Sequence, residues 1–145
     1  MLYDLAYQAG WHSRFNIDPL IGESNFKRLY REWVKKSVYS NDEYVVLTYR
    51  NMDMILGFVS LKMNADNCSI ELLAVEEAQR HTGIGSKLID ACMVLTRLSG
   101  KEALYVSTQE SNKVACSFYK SKGGTICYHF DIYHLWLNNK LYDTI

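Results

Sequence analysis

The sequence predicts a mixed α/β fold, a central β-sheet flanked by helices. Three short β-rich runs follow one another, which favours antiparallel neighbours, and strands then alternate with helices, which favours parallel ones. At 145 residues the chain fits one domain, residues 1–145, large enough to bury a core. Hydrophobic residues make up 48% and charged residues 22%, ordinary values for a globular chain.

The elements can be read in order. Residues 2–10 place Leu2, Leu5, Ala6 and Ala9 on one helical side, and Gly10 breaks the pattern. Residues 11–22 read as irregular, punctuated by Asn16, Pro19 and Gly22. A second helix follows with Ser24 as its expected N-cap, and Phe26, Leu29, Tyr30, Trp33, Val34 and Val38 recur at helical spacing. Residues 44–49, 55–63 and 68–75 are β-rich and separated by the polar turns 50–53 and 64–67, forming a meander. Residues 83–98 are helical, with Ile84, Leu88, Ala91, Cys92 and Leu95 turned inward. Residues 103–108 read as a strand, and 111–122 as a short helix stopped by Gly123-Gly124. Aromatic and β-branched residues predict a long last strand over 125–137. The order is α-α-β-β-β-α-β-α-β.

Composition excludes several classes. Lys plus Arg equal 16 and Asp plus Glu equal 16, so net charge offers no argument for a nucleic-acid or anionic-membrane partner. No apolar run approaches the ~18 residues of a membrane span, and the N-terminus lacks the basic and apolar regions of a signal peptide. The cytoplasm is the expected location. Cys68, Cys92, Cys116 and Cys127 are scattered, without metal-ligand spacing, and are expected to be reduced. No metal site is expected. His129 and His134 stand five apart on the last strand, hence on opposite faces.

Two constellations carry chemistry. In the first, Arg80-His81-Thr82-Gly83-Ile84-Gly85 joins a strand to a helix. Free N–H groups at a helix start, together with its dipole, favour an anion such as a pyrophosphate, and Arg80 and Lys87 add charge. The run lacks both the Gly-Lys-Ser/Thr of a nucleotide-triphosphate loop and the third glycine of a dinucleotide fold, so alone it also reads as a tight turn. In the second, Asn112-x-x-Ala115-x-x-Phe118-Tyr119-x-x-x-Gly123 spans a short helix. Asn112 and Tyr119 stand seven apart and share a side. Tyr119 can donate a proton to a leaving group, or be a half-buried aromatic with its hydroxyl in water.

In this order, with Arg/Gln-x-x-Gly-x-Gly/Ala first and Asn-x-x-Ala-x-x-Phe/Leu-Tyr-x-x-x-Gly second, the two resemble the motifs of the GNAT N-acetyltransferase family, over about residues 2–137. The resemblance implies that fold and an acetyl-CoA co-substrate. It implies that Leu73, Ala74 and Val75 hold the pantetheine arm and polarise the thioester by backbone groups. It implies that backbone groups from His81 through Thr82, Gly83, Ile84 and Gly85 to Ser86 hold the pyrophosphate, with Arg80 beside them. Asn112 would contact the arm, and Tyr119 would protonate the departing thiolate. Glu71 is the candidate base, since alternation places it on the face of Leu73; a water chain is the other reading.

A finer set, Gln8-Ala9-Gly10, Ser13-Arg14-Phe15, Gly57-Phe58-Val59-Ser60-Leu61 and Leu72-Leu73-Ala74, is similar to the branch that acetylates nucleotide-linked amino sugars. Thr108-Gln109 continues this likeness. By that likeness Arg14 is the candidate for the nucleotide phosphates, and Phe15 or Trp11 for stacking. A protein terminus, a lysine or a small amine is the other acceptor reading, and a CoA-binding regulatory module the other class. The family normally begins with a strand before its first helix, and this chain starts inside what reads as that helix, so either a short N-terminus or an absent preceding segment is expected. A sheet edge left open in this way favours pairing between chains, so a homodimer is an expectation. Gly124 stands where many members carry an aromatic residue.

Overall fold

In the computed structural model, residues 2–40 and 42–137 are described. Helix α1 spans Leu2–Gly10, α2 Arg14–Ile17 and α3 Gly22–Tyr39. Strands β1 (Tyr44–Asn51), β2 (Met54–Met63) and β3 (Asn67–Val75) follow. A 3-10 turn at Glu77–Gln79, helix α4 (Ile84–Leu98), strand β4 (Ala103–Val106) and helix α5 (Lys113–Ser121) complete the elements. The sheet order is β1-β2-β3-β4. The first three strands are antiparallel and β4 joins β3 in parallel, so the sheet is mixed as the element order predicts.

Each face of the sheet has its own core. On one side Leu5 and Ala6 of α1 and Phe26, Tyr30 and Val34 of α3 cover Phe58, Leu72 and Ala74. On the other, Ile84, Leu88, Ile89 and Cys92 of α4 cover Val59, Leu61, Cys68 and Ile70. Both faces of β3 are thus covered, and burying such side chains contributes about 1.5–3 kcal/mol each. Ser37 on α3 donates a buried hydrogen bond to Ser60 on β2 at 3.1 Å, satisfying two hydroxyls that the apolar surroundings would otherwise strand.

Several expected details change. The irregular stretch contains α2, held by Asn16 and Ile17 amides donating to the Ser13 carbonyl. Helix α3 starts at Gly22, ahead of Ser24, and its N-cap Ile21 makes no side-chain cap. Ala91 is exposed, and Ile89 and Thr96 take buried positions on α4. The expected strand over 125–137 belongs to no sheet. Its residues have the right propensity, but β4 is four residues long and, among the described residues, has only β3 beside it. Propensity without a ladder partner does not make a strand. Its aromatic cluster is accordingly exposed rather than packed, with Tyr128 at 68% and Tyr133 at 82%.

Candidate active site

The site begins where two strands part. The β3–β4 ladder runs from Asn67 opposite Ala103 to Ile70 opposite Val106 and stops there. Strand β3 continues to Val75, with Val59, Phe58 and Gly57 of β2 opposite Leu73, Ala74 and Val75. Among the described residues no strand lies on the other side of these three. Sheet backbone left open in this way can bind an extended ligand by strand-like pairing.

The parting coincides with an irregularity. Ser60 pairs with Leu72 but Leu61 pairs with Ile70, so Glu71 is the extra residue of a β-bulge. The simple alternation expected to align Glu71 with Leu73 is interrupted at Glu71 itself. Ile70 faces the α4 core, Leu72 faces the α3 core, and Leu73 packs beside the α4 core. A bulge re-aims the side chains around it and ends regular pairing, which fits a site opening at this place.

The loop from Arg80 to Gly85 closes the open end. His81 has φ 63° and Gly83 φ 88°, so two left-handed residues turn the chain into α4. The Thr82 hydroxyl donates to the Gln79 carbonyl at 2.6 Å, and Arg80 Nε donates to the Val75 carbonyl at 3.4 Å. The first amides of α4 have no intrahelical partner and carry the positive end of the dipole. Small residues set the spacing. A Cβ on Gly57 would meet the Ala74 carbonyl and Ile84 Cγ2 at 3.0 Å, so the missing side chain lets α4 sit low on the sheet. A Cβ on Gly85 would meet Phe118 at 3.4 Å, which brings α5 against the start of α4. A Cβ on Gly83 would meet nothing within 4 Å; its requirement is the left-handed φ, not space. Lys87 points toward β1, with Nζ 3.3 Å from the Tyr49 hydroxyl.

Helix α5 supplies the second motif. Asn112 is its N-cap, its Oδ1 accepting from the Ala115 amide at 3.1 Å, and this alone favours asparagine there. Phe118 and Tyr119 pack beside the α4 core. Tyr119 borders a cavity with Ile70 and Val106, the last pair shared by β3 and β4. Burial, assisted by the nearby Cys92, pushes its phenol up to about 12, so Tyr119 holds its proton at neutral pH. Burial likewise pushes the Cys92 thiol up to about 12, and Cys92 is an inert core residue.

A second cluster gathers around α2. Arg14 lies over the Phe15 ring at 4.3 Å. His134 stacks near the same ring, with centroids 6.3 Å apart, and contacts the Asp18 carboxylate. That contact, with the Leu20 amide, holds the Asp18 carboxyl below its usual range. Trp136 meets His134 edge-on, and Phe15, Ile21, His134, Leu135 and Trp136 line a cavity of about 260 Å³. Trp11 is 65% exposed and lies outside this lining.

Sequence reading does not reveal that His134 joins Phe15 to Asp18 and Trp136. The contact joins residues 116 positions apart, and no local pattern encodes it. The Gln8 Oε1 accepts from the Glu77 amide at 3.2 Å, tying α1 to the turn after β3. Among the described residues no group of His, Cys, Asp and Glu side chains could hold a metal, and no helix is long and apolar enough to cross a membrane.

Known proteins are similar to this chain in sequence and in fold. The [ribosomal protein bS18]-alanine N-acetyltransferase of Haemophilus ducreyi is 27% identical over 113 residues, covering 71% of this chain and 78% of that protein. The BH1408 protein of Bacillus halodurans superposes with a TM-score of 0.73 at 18% identity, covering 92% of this chain and 94% of that one. The PaiA N-acetyltransferase of Thermoplasma acidophilum, solved in complex with coenzyme A, gives 0.64 at 23% identity over 83% and 79%. The acetyltransferase (GNAT) family pattern matches residues 8–123, and the chain belongs to that family: it is an acetyl-CoA-dependent N-acetyltransferase.

Proposed function

We propose that this enzyme acetylates the amine of a nucleotide-linked amino sugar by direct attack, with the acetyl-CoA arm along β3 where β4 parts from it. The observation that carries the catalytic part is the position of Tyr119, beside the Ile70–Val106 pair at the parting point. Backbone groups of Leu73, Ala74 and Val75 pair with the pantetheine arm and stabilise charge developing on the thioester oxygen. Backbone amides from His81 to Ser86 hold the pyrophosphate at the positive end of α4, with Arg80 beside them. The amide nitrogen of Asn112, left over from capping, reaches the arm.

In the reaction the amine nitrogen forms a bond to the acetyl carbon and the carbon–sulfur bond breaks. Tyr119 gives its proton to the departing sulfur. The amine's surplus proton leaves through Glu71 or through water. The phenol, pushed up to about 12, is a weaker acid than the thiol it forms, so Tyr119 stays protonated until the carbon–sulfur bond breaks and passes its proton only as the thiolate is desolvated in the site. Holding both reactants in line supplies much of the remaining acceleration.

On the acceptor side, the likeness of Gln8-Ala9-Gly10 and Ser13-Arg14-Phe15 to dTDP-fucosamine acetyltransferase supports a sugar nucleotide. Arg14 offers its guanidinium to the diphosphate. Phe15 supports that guanidinium rather than stacking on a base, because both Arg14 and His134 lie against its ring. The second reading, a protein N-terminus, is favoured by the relative that acts on a ribosomal-protein alanine. Mass-spectrometric detection of acetyl transfer separates the two. Product with a 4-amino-dideoxy sugar nucleotide and not with alanine-terminated peptides is expected. Product with peptides alone would discard the sugar reading and keep the enzyme class.

A further inference from the structure

Helix α5 presents Tyr119, yet none of its own residues is fully buried. A deep apolar face therefore does not fix the angle of this helix, and other contacts must. One is Phe118, which packs against the start of α4, where a Cβ on Gly85 would stand 3.4 Å from its ring. Another lies just past Tyr119. Lys122 Nζ meets Asp90 Oδ1 of α4 at 2.5 Å, with the lysine side chain 21% exposed.

The backbone holds the same place. The Tyr119 carbonyl accepts from the Lys122 amide at 3.1 Å and from the Gly124 amide at 3.0 Å. Gly123, with φ 86°, turns the chain so that Gly124 folds back on the helix end. The three atoms nearest a Cβ on Gly124 would all belong to Tyr119: its carbonyl oxygen at 2.8 Å, its carbonyl carbon at 3.4 Å and its Cβ at 3.8 Å. A backbone oxygen cannot swing aside as a side chain can, so a larger residue at 124 displaces Tyr119. This is a physical reason for glycine at a position that departs from the family pattern. Lys122, Gly123 and Gly124 also border the same cavity as Tyr119.

We propose that Asp90, Lys122 and Gly124 are positioning residues for the proton transfer: they clamp the end of α5 on α4 and set the direction of the Tyr119 phenol. The proposal rests on Tyr119 as the acid. A proton passes to the departing sulfur only from a donor held within hydrogen-bond reach, so a small displacement of Tyr119 acts on the chemical step rather than on cofactor binding. The Asp90 side chain is 53% exposed, and an ion pair of this kind contributes little to overall stability. Asp90→Asn is therefore expected to fold normally and to act through geometry.

Steady-state kinetics on the variants, alone and combined with Tyr119→Phe, tests this. Gly124→Ala is expected to lower kcat about ten-fold and Asp90→Asn about three-fold, each leaving the acetyl-CoA KM within about two-fold of the wild type. The exchanged pair, Asp90→Lys with Lys122→Asp, is expected to return kcat toward the wild-type value. In the Tyr119→Phe background neither Gly124→Ala nor Asp90→Asn is expected to lower kcat further, because residues that act through one group lose their effect with it. Wild-type kcat in both Gly124→Ala and Asp90→Asn would overturn the proposal. So would the same proportional fall with and without the phenol, or a raised acetyl-CoA KM at unchanged kcat. Each of these results leaves the acid in place, whereas unchanged turnover in Tyr119→Phe itself would overturn acid and clamp together.

Discussion

The half of the molecule built from β3, α4 and α5 and the half built from α1, α2 and α3 reach their sites by different routes. In the first, the motifs themselves are local. The loop from Arg80 to Gly85, the left-handed turn at Gly83 and the cap at Asn112 each act within a few residues. In the second, Phe15 and Asp18 become a site only when His134 arrives from the far end of the chain. A cofactor shared by a whole family can be held by local backbone geometry. An acceptor that differs between members falls to long-range side-chain contacts.

Substitutions on each side sharpen or break this contrast. Tyr119→Phe is expected to give the largest effect, a fall in turnover on the order of 10²-fold, since a positioned acid supplies about that much. CoA affinity should stay near the wild-type value in a binding titration; unchanged turnover would remove Tyr119 as the acid. Its buried phenol, raised to about 12, also predicts that no loss of rate below about pH 11 comes from its ionisation. Gly83→Val should follow, weakening CoA binding by about 10- to 100-fold, because a β-branched residue at φ 88° costs on the order of 1–3 kcal/mol and shifts the loop. Calorimetry on a folded variant checks it, and undiminished affinity would disconnect this loop from the pyrophosphate.

On the other side Gly10→Ala is expected to act through stability. Its Cβ would stand 2.4 Å from Cζ of the buried Tyr30, an overpacking worth about 1–3 kcal/mol in a denaturant titration. Asp18→Asn should have the smallest effect, raising the acceptor KM by about 3- to 10-fold through loss of the His134 contact, with the acetyl-CoA KM unchanged. The sign with pH is fixed by the lowered carboxyl of Asp18. The wild type's extra stability over Asp18→Asn should be present above the ordinary aspartate range and vanish as pH falls through the lowered folded value. Thermal melts at a series of pH values read this directly, and a stability gap that persists in acid would refute the charged contact.

The same contrast explains what could be read from sequence. The β-β-β-α-β-α core of the element order, the mixed sheet and both motifs rest on local periodicity and turn chemistry, and the structure has them; the added α2 and the missing last strand do not follow from the same signals. The bulge at Glu71 depends on the register between β2 and β3, which alternation within one strand cannot reveal. The role of Gly57 depends on how closely α4 approaches the sheet. Residues 125–137 carry strand propensity, but whether they form a strand depends on a neighbour that the segment does not encode. Spacing along the chain relates His134 only to nearby His129, whereas its partners are Asp18 and Phe15.

Amide hydrogen exchange followed by mass spectrometry, with and without coenzyme A, tests the central assignment most directly, because it reports position rather than activity. Protection is expected at Leu73, Ala74 and Val75, through the loop from His81 to Ser86, and at the start of α5, with little change over residues 14–21. Protection confined to residues 14–21, or none at β3 and the start of α4, would contradict a cofactor cleft formed where β3 and β4 part.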